Sequence, residues 1–169
     1  MIFLNKTCFN GLYRVNRSGL FNTPIGRYSN PGFTSPEKLR AVSTALASVQ
    51  AHHGSFEMCK SFVTPSTLAY FDPPYRPLSN TAAFTSYAKE DFNDDGQRSL
   101  AGFARYLDGT VPGVRLMLSN SDPKNSDPND EFFDELYRGF TIERVEANRA
   151  INSDASARGS ITELLITNF

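Results

Sequence analysis

The hydrophobic pattern changes period several times along the chain, and each change marks an element. Residues 2–5 open with an abrupt apolar run, read as the tail of an element whose start lies outside the chain. The segments 10–15 and 20–22 are short and strand-like, and they flank Asn16-Arg17-Ser18-Gly19. Two such runs around a polar, glycine-bearing turn predict a hairpin. Alternation places Leu12 and Arg14 on one face and Tyr13 and Val15 on the other. Asn30-Pro31-Gly32 is a loop. Ser35-Pro36-Glu37 then opens a helix, with a capping serine, proline at the first helical position and an acid in the first turn. Leu39, Val42, Leu46 and Val49 recur at helical spacing, so the helix is expected to end near residues 52–54.

Leu68-Ala69-Tyr70-Phe71 reads as a buried strand. Pro73 and Pro74 stop it. Residues 77–91 are loop-like and rich in Ser, Thr and aromatics. Asn93-Asp94-Asp95 caps a helix with Leu100, Phe103, Ala104 and Leu107 on one face. After the turn Val111-Pro112-Gly113, residues 114–118 form a second core strand, ending in Ser119-Asn120-Ser121-Asp122. A short helix is expected at 130–137, and strands at 140–145 and 163–167 with a polar loop between them. Strands alternating with helices predict an α/β fold, helices packed on a largely parallel sheet. The last strand is left open to antiparallel pairing.

Composition adds limits. A chain of 169 residues, 40% hydrophobic and 21% charged, is ordinary globular material with enough length for a core. No run of about 18 apolar residues suggests a membrane span, and the start lacks a signal-peptide pattern. A cytoplasmic protein is expected. Cys8 and Cys59 are far apart and read as reduced thiols. His52 and His53 read as a solvated helix end, and no metal site is expected. The net charge of −1 argues against a polyanion partner until its distribution is considered. Residues 1–36 hold Lys6, Arg14, Arg17 and Arg27 and no acid, so the remainder carries −5. A basic arm on a mildly acidic body is a usable footprint for nucleic acid.

The candidate chemistry lies at Asp72-Pro73-Pro74-Tyr75. In open α/β sheets, ligands bind beyond the carboxyl ends of the strands. The exocyclic amine of adenine is a poor nucleophile because its lone pair is delocalised into the ring. The Asp72 carboxylate and the Pro73 carbonyl are suited to accept its two N–H bonds, drawing the nitrogen toward tetrahedral geometry. Pro73 has no N–H to compete, and Tyr75 offers a ring for stacking. The competing reading of the tetrapeptide is a rigid turn. Leu12 and Pro24 have an equally plain reading as hairpin packing, Arg14 as a solvated charge, and Phe84 and Tyr87 as core aromatics.

Asp72-Pro73-Pro74-Tyr75 matches the catalytic motif of amino-methyltransferases that act on adenine N6. Phe9-Asn10-Gly11-Leu12-Tyr13-Arg14-Val15-Asn16, with Phe21-Asn22-Thr23-Pro24-Ile25-Gly26-Arg27-Tyr28, resembles the target-recognition region of Dam-type (D12 class) DNA adenine methyltransferases that modify GATC. Pro77-Leu78-Ser79, Phe84-Thr85-Ser86-Tyr87, Leu118-Ser119-Asn120-Ser121-Asp122 and Glu163-Leu164-Leu165 extend the resemblance in order over nearly the whole chain. It implies an incomplete Rossmann-like sheet of the S-adenosylmethionine-dependent methyltransferase kind, with a DNA-recognition hairpin and a small helical insertion. Residues 1–56 would be the target-recognition region and 57–169 the C-terminal part of the catalytic domain. Asp72, Pro73, Pro74 and Tyr75 would hold an adenine flipped from duplex DNA, with Asp72 also bordering S-adenosyl-L-methionine. Arg14 would read a guanine, and Leu12 and Pro24 would touch a thymine methyl. Phe9, beside Asn10, would stack into the duplex. Asn16 and Arg27 would position phosphates, and the loop from Arg149 through Asn152 and Ser153 to Arg158 would also contact the strand. RNA and protein-glutamine methyltransferases usually carry Asn where Asp72 stands and lack the hairpin, which favours DNA.

One departure qualifies the resemblance. Family members carry an upstream glycine-rich Phe-x-Gly-x-Gly turn that holds the methyl donor, and this sequence has none; Gly11, Gly19 and Gly26 lie in the recognition region instead. The chain is therefore read as the C-terminal part of a methyltransferase, from a truncated gene, a split gene or an incomplete sequence: one subunit completed by an upstream polypeptide, or alternatively an inactive DNA-binding remnant. The isolated chain is expected to bind the donor weakly. Titration with labelled S-adenosylmethionine measures this, and tight, stoichiometric binding is the contrary result.

Overall fold

The structure is a computed structural model that describes residues 1–32, 35–78, 92–148 and 160–169. The readings at residues 79–91, which include Phe84 and Tyr87, and at 149–158 lie outside the described residues. The chain divides into two compact units, Met1–His53 and Gly54–Phe169.

In the second unit, β1 (Leu68–Phe71), β2 (Arg115–Ser121), β3 (Thr141–Asn148) and β4 (Ser160–Thr167) form one sheet in the order β1-β2-β4-β3. β1 and β2 are parallel, with Leu68 opposite Arg115 and Phe71 opposite Leu118. β4 is antiparallel to both of its neighbours. The sheet is thus mixed rather than largely parallel. Only residues 149–159 separate β3 from β4, and a parallel crossover needs about a dozen residues or more.

Pairing also carries the strands past their apolar stretches. Ser119, Asn120 and Ser121 stay in β2 because Leu165, Leu164 and Glu163 of β4 lie opposite them. β3 reaches Asn148 and β4 begins at Ser160 because those two residues still pair.

Sequence periodicity explains how α3 (Asp94–Thr110) covers the sheet. Asn93 Oδ1 accepts from the N–H groups of Asp95 and Gly96 at 3.0 and 3.1 Å, fixing the helix start. Leu100, Ala101, Ala104 and Leu107 then pack with Leu116, Leu118, Leu164 and Ile166. Phe103 is half-buried and meets the rings of Phe56 and Phe71 at centroid distances of 5.5 and 6.3 Å. Phe56 belongs to a 3₁₀ turn, Phe56–Ser61, that the pattern does not reveal. α4 (Phe132–Leu136) contributes buried Phe133, followed by buried Tyr137. β1 departs from expectation. Ala69 and Phe71 face the core, whereas Leu68 and Tyr70 are 58% and 56% exposed, so the strand is buried on one face only.

In the first unit, residues 2–5 lie in α1 (Ile2–Thr7). The expected hairpin closes without continuous strands. Val15 bridges Phe21 and Cys8 bridges Ile25, each an isolated antiparallel bridge. Pro24 lacks an N–H, which interrupts the ladder between those bridges. α2 (Pro36–Leu46) starts as read, with the Ser35 side chain accepting from the Lys38 N–H. It ends earlier than its apolar stripe suggests. The Ala47 N–H turns to the Thr44 carbonyl at 3.2 Å, a tightened last turn, and Ser48 Oγ donates to the Ala45 carbonyl at 3.4 Å. Among the described residues, no helix is long and apolar enough to cross a membrane.

Leu118 is buried where β1, β2 and β4 meet, with 1% exposure. Leu118→Ala is expected to cost about 2–5 kcal/mol by urea denaturation. A loss below about 1 kcal/mol would show that this face is not the core.

Candidate active site and recognition loop

β1 delivers Asp72, and the two prolines after it take the chain out of the sheet. Neither proline has an N–H, so the loop must be held by its carbonyls and by side chains. Ser119 Oγ donates to Asp72 Oδ1 at 2.9 Å, and the Tyr70 hydroxyl lies 2.9 Å from the same Ser119 Oγ. Side chains alternate along a strand, so Tyr70 and Asp72 emerge on the same side of β1. Two residues beyond Asp72, the Pro74 carbonyl accepts from Gln97 Nε2 at 3.0 Å.

Gln97 belongs to α3 and is fully buried. Its Oε1 accepts from Asn120 Nδ2 at 3.0 Å. Asn120 Oδ1 in turn accepts from the N–H groups of Arg76 and Ser121 at 3.0 and 2.9 Å. Ser121 Oγ donates to the Arg76 carbonyl at 2.6 Å. The polar end of β2 thus grips the backbone on both sides of Arg76, while α3 grips Pro74. Among the described residues, the Pro73 carbonyl and Asp72 Oδ2 carry no hydrogen bond, and Asp72 is exposed. Tyr75 stands beside them, 37% exposed. Partial burial raises its hydroxyl above the ordinary tyrosine range, and a hydrogen bond with Ser119 opposes that shift.

The Arg76 side chain extends the hold. Nε and Nη2 donate to the two carboxylate oxygens of Asp94 at 2.8 and 3.3 Å, and Nη1 donates to Asp130 at 2.6 Å. Its guanidinium lies 4.4 Å from the Phe132 ring centroid. Beyond β2, buried Asp122 accepts from Arg144 Nε at 3.1 Å, Thr162 Oγ1 at 2.6 Å and the Lys124 N–H at 3.2 Å. That carboxylate joins the loop after β2 to β3 and β4. Arg144 Nη2 reaches both oxygens of Asp134 at 3.0 and 2.8 Å.

The recognition candidates lie in the first unit. Phe9, Asn10, Leu12, Arg14, Asn16, Pro24 and Arg27 are all exposed. The Phe9 N–H donates to the Pro24 carbonyl at 2.8 Å, and Thr23 Oγ1 donates to the Leu12 carbonyl at 2.9 Å. Asn10 has φ +53° and Gly11 φ +65°, a left-handed pair that turns the chain after Phe9. Asn16 Oδ1 accepts from the N–H groups of Ser18 and Leu20 at 3.0 Å each, so it closes the turn. Arg14 Nε and Nη2 donate to Asn22 Oδ1 and to the Asn22 carbonyl, both at 3.0 Å.

Sequence reasoning gave no role to Gln97, Asn120, Arg76 or Asn22. Gln97 had a signal. It occupies the α3 stripe with Leu100, Ala101 and Ala104, and a polar residue on an apolar stripe needs buried partners. Asn120 had a weaker one, as part of a polar run continuing an apolar strand. The Arg76 pairings join segments too far apart for spacing to show, whereas Asn22 lies across the predicted hairpin from Arg14 and only its exact register was hidden.

This is a mixed α/β unit that presents, at a strand end, a carboxylate followed by a carbonyl with no hydrogen bond among the described residues, joined in sequence to a basic, acid-free segment. The sequence model of the D12 class N6 adenine-specific DNA methyltransferases matches residues 1–151, and the chain belongs to that family. It is 50% identical to the type II methyltransferase M.MjaIII of Methanocaldococcus jannaschii, over 99% of this chain and 56% of that protein. Identity is 41% to M1.LlaDCHI of Lactococcus lactis, over 100% of this chain and 57% of that protein. It is 34% to a DNA adenine methylase of Vibrio cholerae, over 97% and 56% respectively. The chain therefore spans a little over half the length of these relatives.

The ion pairs set a pH dependence. Burial raises the carboxyls of Asp130 and Asp134, but hydrogen bonds from Arg76 to the first and from Arg144 and Lys124 to the second outweigh it, leaving both below the usual range. A depressed carboxyl contributes stability above its unfolded value and loses it as the pH falls through its folded value. Urea midpoints are expected to drop as the pH falls below the ordinary aspartate range. Arg76→Gln should flatten the part due to Asp130, and an unchanged pH slope would contradict this.

Proposed function

We propose that the chain supplies the base-gripping part of an enzyme that methylates adenine N6 in duplex DNA, within GATC, with S-adenosyl-L-methionine as donor. One observation carries the reading. Among the described residues, the protein's own donors occupy Asp72 Oδ1 and the Pro74 carbonyl, leaving Asp72 Oδ2 and the Pro73 carbonyl as acceptors. Two acceptors are what a planar amine with two N–H bonds requires. Both bonds strengthen as the nitrogen becomes tetrahedral and cationic, so they favour the transition state over the bound base. Tyr75 stacks on the base, which enters by flipping, because a paired adenine cannot bring its amine to a strand end.

A carboxylate such as Asp72 also suits the cationic and hydroxyl groups of S-adenosyl-L-methionine. When bound, that cofactor supplies an electrophilic methyl group on sulfonium. In this reading Ser119 and Tyr70 hold the Asp72 carboxylate in one orientation, and Asp72 Oδ2 takes up the proton that the amine sheds. Residues 1–56 form the target-recognition region and 57–169 the C-terminal part of the catalytic domain. Arg14 reads guanine, Leu12 and Pro24 meet a thymine methyl, Phe9 stacks into the duplex, Asn10 contacts the DNA beside it, and Asn16 and Arg27 border phosphates.

The test is transfer of labelled methyl to a GATC duplex, with the chain supplemented by a polypeptide carrying a glycine-rich donor-binding turn. Asp72→Ala is expected to lower transfer about a hundredfold or more while duplex affinity stays close to wild type. Retained transfer would remove Asp72 from the reaction.

A further inference from the structure

Arg14 is exposed, yet its guanidinium is not left to rotate. Its Nε and Nη2 donate to Asn22 Oδ1 and to the Asn22 carbonyl at 3.0 Å each. The backbones are joined as well, with the Asn22 N–H donating to the Arg14 carbonyl at 3.0 Å. This pairing sits between the Val15–Phe21 bridge and the bond from Thr23 Oγ1 to the Leu12 carbonyl, so register places Asn22 opposite Arg14. A guanidinium is a planar fork with five N–H donors. Nε and one hydrogen of Nη2 form its side edge, and Asn22 takes both. The end edge, one hydrogen each from Nη1 and Nη2, carries no hydrogen bond among the described residues, and Arg14 is exposed. That edge matches the two acceptors of guanine, O6 and N7, in the major groove.

We propose that Asn22 is a positioning residue for base readout: it holds the side edge of Arg14 so that only the end edge meets the DNA. The proposal rests on the reading of Arg14 as a guanine contact. It assigns Asn22 no base of its own. Its effect is to confine a long side chain that would otherwise also satisfy phosphates, and a phosphate contact carries no sequence information.

Fluorescence anisotropy separates the two ideas. The full chain is titrated with a short duplex containing GATC and with one in which the guanine is replaced, at one fixed salt concentration. Arg14→Ala is expected to lower discrimination between the duplexes about tenfold. Asn22→Ala should lower it to a similar extent at the same base pair, while affinity for the replaced duplex stays close to wild type. Asn22→Asp keeps the acceptor and should retain discrimination. Asn22→Ala placed on Arg14→Ala should add no further loss. If Arg14→Ala loses discrimination and Asn22→Ala keeps it, the positioning role is overturned and the readout stands. A uniform loss for both duplexes in Asn22→Ala reduces Asn22 to a fold-supporting residue. If the wild-type chain does not discriminate, or Arg14→Ala retains discrimination, the readout itself falls and the proposal with it.

Discussion

The hydrogen bond from Gln97 to the Pro74 carbonyl is the contact on which the strand-end site depends. A loop with consecutive prolines has no N–H groups at those positions to enter a ladder or a turn. Its shape must be imposed from outside, through its carbonyls. Gln97 is fully buried, so its amide cannot exchange that partner for water. Asn120 completes the arrangement by satisfying Gln97 Oε1 and then holding the Arg76 N–H. Removing any member leaves another buried polar group unpaired, at about 1–3 kcal/mol each. Such a network is stable only when complete, and for that reason it specifies one loop geometry rather than several.

Asn120 can serve this network because of a strand remote in sequence. Ser119, Asn120 and Ser121 are polar and would leave a sheet whose only organising force was apolar burial. β4 keeps them extended by pairing antiparallel along that stretch. The Asp122 carboxylate then ties the end of β2 to Arg144 of β3 and Thr162 of β4. The site's geometry therefore depends on the C-terminal strand pair as much as on the motif itself.

What the sequence makes legible is what short range decides. The Asn93 cap, the α3 stripe, the Ser35-Pro36 helix start and the strand before Asp72 depend on residues within a turn or two, and each is present. The Asp72–Tyr75 motif is likewise visible as a tetrapeptide after a strand. The mixed pairing of the sheet, the extension of β2 into polar residues and the single-face burial of β1 depend on which strands become neighbours. Hydrophobic period carries no such information. The hairpin in the first unit closes where the pattern predicts it, but isolated bridges and side-chain bonds hold it instead of the continuous strands that the pattern suggests. Arg76 is the clearest case: its partners Asp94 and Asp130 are 18 and 54 residues away.

The two units share a physical feature. In each, the protein binds part of a multivalent polar group and leaves a defined remainder. Ser119 takes one oxygen of Asp72, and Asn22 takes one edge of Arg14. Both groups can form bonds in several orientations, and an unrestrained arginine carries about 2 kcal/mol of rotamer entropy. Holding one side during folding removes much of that cost from the later encounter with a ligand. It also converts a general attraction into a directional one. A free carboxylate accepts from any donor, whereas one with an oxygen fixed accepts along one line. In the proposed reading, that restriction is what suits the first group to an amine with two N–H bonds and the second to a base edge with two acceptors.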